Sequence, residues 1–170
     1  MKKILVFFVS LGILTSCEGP QGPPGFDGED GVNIVGMAYE FQGSFTSSNN
    51  YSLFFEFPNP EDILESDIVM VYALSGVDNG VDIWEPLPQT LFIGDAILTT
   101  NFDFTRFDVN VFLDGNADLS TLDPEFTDNK VFRAAVIPVD LIGSINLNSF
   151  TDVLHSLNLQ TENIQVISGN

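Results

Sequence analysis

The sequence predicts a mainly β domain, an antiparallel Ig-like β-sandwich with one short C-terminal helix. Three observations predict it. Apolar residues recur with period two in several short runs, the pattern of half-buried strands. Turn-forming Asn, Gly, Pro and Ser separate those runs at short intervals. Only one stretch, near the C-terminus, changes to helical spacing. With 44% apolar residues and 16 phenylalanines in a chain of 170, there is material for a core. Residues 32–170 are long enough to bury one.

Each element follows in order. Val35, Met37, Tyr39 and Phe41 alternate with smaller or polar residues and predict a first strand. Ser47–Asn50 is a turn, and Tyr51, Leu53, Phe55 and Phe57 alternate again before Pro58-Asn59-Pro60 ends the run. Ile68–Leu74 is apolar on both parities, as a central strand covered on two faces should be. Asp78-Asn79-Gly80 carries Asn-Gly hairpin chemistry. Val81–Phe92 holds Trp84, Pro86 and Pro88, which predicts an edge strand or an irregular crossing. Ala96–Phe104 and Phe107–Leu113 read as a hairpin turning near Thr105-Arg106. Phe102, Phe104, Phe107, Val109, Val111 and Leu113 form its apolar face, while Asp103, Asp108 and Asn110 point away. Val131–Ile137 is a further buried strand. Phe150, Val153, Leu154 and Leu157 fall at i, i+3, i+4 and i+7, and Ser149 with Asp152 supplies a capping start, so a helix is expected there. Ile164–Ile167 predicts a last strand.

The N-terminal segment is different in kind. Lys2 and Lys3 precede an apolar run, Ile4–Leu14, too short to span a membrane as a mature helix. The small residues Thr15 and Ser16 then lead into Cys17, the only cysteine. Leu14-Thr15-Ser16-Cys17 resembles the lipobox of bacterial lipoproteins. That resemblance implies removal of residues 1–16 as a signal peptide and acylation of Cys17, an anchor rather than a span. With Cys17 acylated, disulfides and a cysteine nucleophile are excluded.

Gly19, Gly22, Gly25, Gly28 and Gly31 then follow with the three-residue period that the axis of a collagen triple helix demands. About four triplets bury too little to hold three chains by themselves. Residues 17–31 are therefore expected to be a flexible Gly/Pro spacer, with a trimerising stalk as the alternative. Extended at ~3.1 Å per residue, it reaches roughly 40 Å.

Charge narrows the partners. The precursor has 5 basic and 24 acidic residues. Loss of Lys2 and Lys3 leaves Arg106, Lys130 and Arg133, a formal charge of −21. Such a polyanion has no means of releasing counterions from DNA or RNA, so nucleic acid is excluded as a partner. It is also repelled by anionic lipid, which makes the acyl anchor more necessary.

Taken together, the lipobox, the Gly-Pro-Pro tract, Asn50-Tyr51-Ser52, Glu65-Ser66-Asp67, the run Trp84–Thr90 and Phe112-Leu113-Asp114-Gly115-Asn116 resemble small collagen-like lipoproteins of the Bacteroidetes. The resemblance covers nearly the whole chain. It implies a lipid-anchored protein of the cell envelope, at the outer membrane, on its periplasmic or its surface face. It brings no catalytic residues.

The chemistry-bearing candidates are few. Asp114, Asn116 and Asp118 stand at the first, third and fifth places of a twelve-residue loop whose last residue is Glu125. That is EF-hand spacing for Ca²⁺, but Leu119 occupies the place where the sharp turn needs Gly, and a strand precedes it. The alternative for this loop is ordinary Asp-Gly turn and Ser/Thr capping chemistry. His155, the sole histidine, shares a helix side with Asp152, without any nucleophile-elbow motif. Trp84, beside two prolines, breaks strand parity and is the aromatic residue singled out for binding a glycan or a protein. No cofactor is required. The expected function is a non-enzymatic, membrane-anchored β-sandwich serving as a binding or structural module. A calcium-dependent adhesive or glycan-binding module and a hydrolase acting on a surface polymer are the alternatives.

Overall fold

The computed structural model describes residues 36–169. The predicted signal segment, Cys17, the glycine-triplet spacer and the first residues of the predicted β domain lie outside them. Among the described residues, nine strands form two sheets. In chain order they are β1 (Met37–Gly43), β2 (Ser52–Glu56), β3 (Ile68–Asp78), β4 (Val81–Pro86), β5 (Gln89–Ile93), β6 (Ala96–Phe104), β7 (Asp108–Gly115), β8 (Lys130–Ile137) and β9 (Gln165–Val166). One sheet has the order β4-β3-β8-β1-β9, the other β2-β7-β6-β5. This is the sandwich the alternating pattern predicts.

The alternation is realised residue by residue. Tyr39 and Phe41 of β1, Val69 and Val71 of β3, and Phe132, Ala134 and Val136 of β8 face Phe55, Leu98, Val109 and Val111 of the other sheet. The ring centroids of Phe41 and Phe55 are 4.2 Å apart, and Phe132 stacks on Phe41 at 5.8 Å.

β8 is buried from Phe132 to Ile137 without alternation. The reason is a second apolar layer. Helix α2 (Phe150–Ser156; a single-turn α1 spans Pro124–Thr127) lies on the outer face of the five-stranded sheet. Its Phe150, Val153 and Leu154, with Leu157 just beyond, pack on Ala38, Tyr72, Ala135 and Ile137. These are the four apolar positions of the predicted helix. Ser149 caps it as expected, its Oγ accepting from the Asp152 amide at 3.2 Å. The phenol of Tyr72, wholly buried in this layer, donates to the Leu147 carbonyl at 2.8 Å.

Turn chemistry also follows the sequence. Asn79 and Gly80 both have positive φ, 50° and 82°, between the paired residues Asp78 and Val81, as a primed hairpin turn requires. Gly115 has φ 124°, and a Cβ there would stand 2.2 Å from the Ile97 carbonyl oxygen, so no other residue fits at the end of β7.

Val81–Phe92 is both an edge and a crossing: β4 edges the first sheet, β5 edges the second, and buried Leu87 makes the crossing between them. Two expectations need revision. The apolar face of the β6–β7 hairpin runs past the sandwich. Val109, Val111 and Leu113 are buried, whereas Phe104 and Phe107 emerge at 39% and 50% exposure. The sheets are not wholly antiparallel, because β9 returns from α2 to pair parallel with β1.

Burial pushes the Tyr72 hydroxyl up to about 12, and burial followed by the nearby charge of Asp62 raises that of Tyr39. Both shifts favour the neutral phenol in the fold. The stabilisation is thus complete below the unfolded value of 10.0 and is lost as pH rises through the folded values. The melting temperature is expected to respond to these two phenols by falling between pH 10 and about 12, with phenolate absorbance from the two rings appearing together with unfolding. Free titration of both rings in a fully folded chain at pH 11 would contradict this.

Candidate functional site

The feature that gathers chemistry is a groove of about 560 Å³ between the β3–β4 hairpin and the C-terminal segment. β4 contributes Trp84 and Asp82, and α2 contributes Phe150, Thr151, Leu154 and His155. Leu159, Gln160, Thr161 and Glu162 close the other side. Its inner part is apolar and aromatic, while Asp82, Thr151, His155, Gln160, Thr161 and Glu162 are exposed around the rim.

Arg133 forms the back of the groove. β8 would be expected to exclude a cation, yet register brings Glu40 of β1 directly opposite Arg133, with Tyr72 of β3 on its other side. The guanidinium donates from Nε at 2.9 Å and pairs through Nη2 at 2.8 Å, both to Glu40 Oε2. Its Cζ lies 4.0 Å from the centre of the Trp84 ring and 5.3 Å from that of Phe150. The cation is thus packed against two rings that also touch each other, and neutralised by one carboxylate, and it fixes the position of Trp84. Trp84 is half-buried because its ring covers Arg133 while still lining the groove.

The other predicted positions are elsewhere. Asp114, Asn116, Asp118 and Glu125 are all exposed, and no group of three or more acidic, histidine or cysteine side chains is assembled to hold a metal among the described residues. Their oxygens make turns instead. Asp114 Oδ1 accepts from the Gly115 amide at 2.7 Å, and Asn116 Oδ1 accepts from the Ile97 amide at 2.6 Å. Asp118 Oδ1 accepts from the Ser120 hydroxyl and amide at 2.7 and 3.0 Å, bonds that hold its carboxyl below the usual carboxylate range. Glu125 enters the first turn of α1, where Asp123 caps its amide at 3.1 Å. Leu119, in place of the glycine, opens a 3₁₀ segment, Leu119–Thr121. In this structure the side-chain oxygens of Asp114, Asn116 and Asp118 make the turn and capping bonds of the alternative reading of this loop.

Asp152 and His155 share a side of α2, but the Asp152 carboxylate accepts from Asn146 Nδ2 at 2.9 Å. Among the described residues, no serine or threonine hydroxyl is hydrogen-bonded to His155. Cys17 lies outside the described residues. Sequence reading missed the Glu40–Arg133 pair. Its signal was a cation at the third place of the otherwise apolar run Val131-Phe132-Arg133-Ala134-Ala135-Val136-Ile137.

Comparison with protein-family models, curated proteins and solved structures finds no match to this chain.

Proposed function

We propose that this is a non-enzymatic envelope lipoprotein, held at the outer membrane through acylated Cys17, whose β-sandwich presents the Trp84 groove to a neutral glycan. The similarity to collagen-like lipoproteins supports the address, and the groove supports the activity. The observation that carries the binding reading is that Trp84 lies in a concave site ringed by hydroxyl, amide and carboxylate side chains. Such a rim meets the hydroxyls of a sugar, and the aromatic interior meets its C–H face. A formal charge of −21 after signal removal disfavours anionic polymers, so the ligand is uncharged.

Trp84 is the only tryptophan in the chain, so its emission reads the groove directly. Titration of the whole protein with neutral oligosaccharides (gluco-, manno-, xylo- and chito-hexaoses) is expected to give a saturable change with at least one series. Calorimetry on Trp84→Ala is expected to show that binding reduced at least tenfold, about 1.4 kcal/mol. No saturable response to any series would refute the glycan reading. Fatty-acid labelling that persists in Cys17→Ala would refute the anchor.

A further inference from the structure

We propose that the end of the sandwich where the chain enters β1 rests against a zwitterionic lipid surface, so that the domain docks on the membrane to which it is tethered. Register identifies that end. Met37 pairs with Val136, and Val136 with Val69, so the chain enters where β3 begins and β8 finishes. The β6–β7 tip is at the same end: Phe104, Thr105 and Arg106 line one cleft of about 310 Å³ with Ile63, Leu64 and Val69. Four large apolar side chains stand in solvent there: Leu64 at 56%, Phe104 at 39%, Phe107 at 50% and Val139 at 48% exposure. Arg106 lies over the Phe107 ring at 4.7 Å. Aromatic rings with an arginine whose stem lies along them suit the boundary between headgroup and acyl chain.

Of the three cations of the mature chain, Arg133 pairs with Glu40 and Lys130 donates to the Glu125 carbonyl, while Arg106 is at this tip. Glu65, Asp67, Asp103 and Asp108 flank it, although Asp67 Oδ2 is turned into its own loop, accepting from the Leu64 amide at 2.9 Å. These acids select a zwitterionic surface over an anionic one. The inference rests on the anchor reading. A domain tethered close to a membrane meets it at an effective concentration near the millimolar range, so a small apolar contact suffices.

The test uses the full acylated chain with a single introduced thiol, Phe107→Cys or Phe92→Cys, carrying an environment-sensitive nitrobenzoxadiazole. Phe92 is 78% exposed in β5, next to the opposite end of the domain, so both sites tolerate the label. On incorporation into phosphatidylcholine–phosphatidylethanolamine vesicles, the label at 107 is expected to shift to the blue and brighten roughly twofold or more, while that at 92 stays as in water. Vesicles that float with the protein while both labels behave alike would overturn the docking and leave the anchor intact. A chain that does not float, or that takes a second label on Cys17, would overturn the anchor and the docking with it. A shift at 107 that grows with protein concentration in the unacylated Cys17→Ser chain without vesicles would assign the tip to self-association instead.

Discussion

Replacing Phe41 by alanine is expected to destabilise the domain by about 3–5 kcal/mol, measured as a lower midpoint in urea at unchanged slope. Phe41 is 1% exposed and is the ring through which the two sheets meet. It touches Phe55 across the sandwich and Phe132 on the neighbouring strand. Truncation removes the transfer energy of the ring and leaves a void between two sheets held apart by their other side chains, so little collapse relieves it. Native domains have only about 5–15 kcal/mol in total, so this one change removes a large share of the margin. Phe54→Ala provides the contrast. Phe54 is one residue from Phe55, but strand parity points it to the open face of the four-stranded sheet, where it is 45% exposed. Its removal is expected to matter by no more than about 0.5 kcal/mol. Equal losses at 41 and 54 would show that the sandwich register is wrong.

This contrast marks what the sequence makes legible. Period two in β2 and β7 names the core correctly because each has one face inward, and β1 keeps it from Tyr39 to Phe41, although α2 also covers Ala38 on its outer face. The two-sided runs Ile68–Leu74 and Val131–Ile137 are legible as covered strands, and the cover, α2, is legible from its own spacing. Partnership between distant residues is not. Glu40 and Arg133 are 93 positions apart, and only the β1–β8 register makes them neighbours. Nor does periodicity tell where a strand outruns its sheet. Phe102 and Phe104 have the same parity, yet Phe102 packs against the core and Phe104 stands in solvent. Trp84 could be singled out because it sits between an edge and two prolines, but the groove it lines needs α2 and Leu159–Glu162 folded back over the sheet. The Asp114–Glu125 spacing is ambiguous for a related reason. Oxygen side chains at short intervals serve turns as readily as ions, and backbone amides there claim them first.

The Glu40–Arg133 pair gives the second large effect, and the effect is asymmetric. Glu40→Ala is expected to destabilise the domain by about 3 kcal/mol, the lower end for a buried pair because the Glu40 side chain is 30% exposed. The guanidinium left behind is 11% exposed and packed against the Trp84 and Phe150 rings, so it stays largely desolvated. Arg133→Met is expected to cost less, about 1 kcal/mol, since Glu40 can rehydrate and a thioether packs well against aromatic rings. The double change Glu40→Ala with Arg133→Met should then recover most of what the first single change loses, because the orphaned charge is gone. Urea unfolding of the four chains closes the cycle. A double variant as unstable as Glu40→Ala alone would show that the loss comes from packing, not from charge. The same cycle reaches the groove. Arg133 fixes the face of Trp84, so Glu40→Ala, which touches none of the groove-lining side chains except through Arg133, is expected to change Trp84 emission and weaken oligosaccharide binding in the folded protein. Stability lost without any change in emission would mean that the ion pair holds the sheet together but does not position the site.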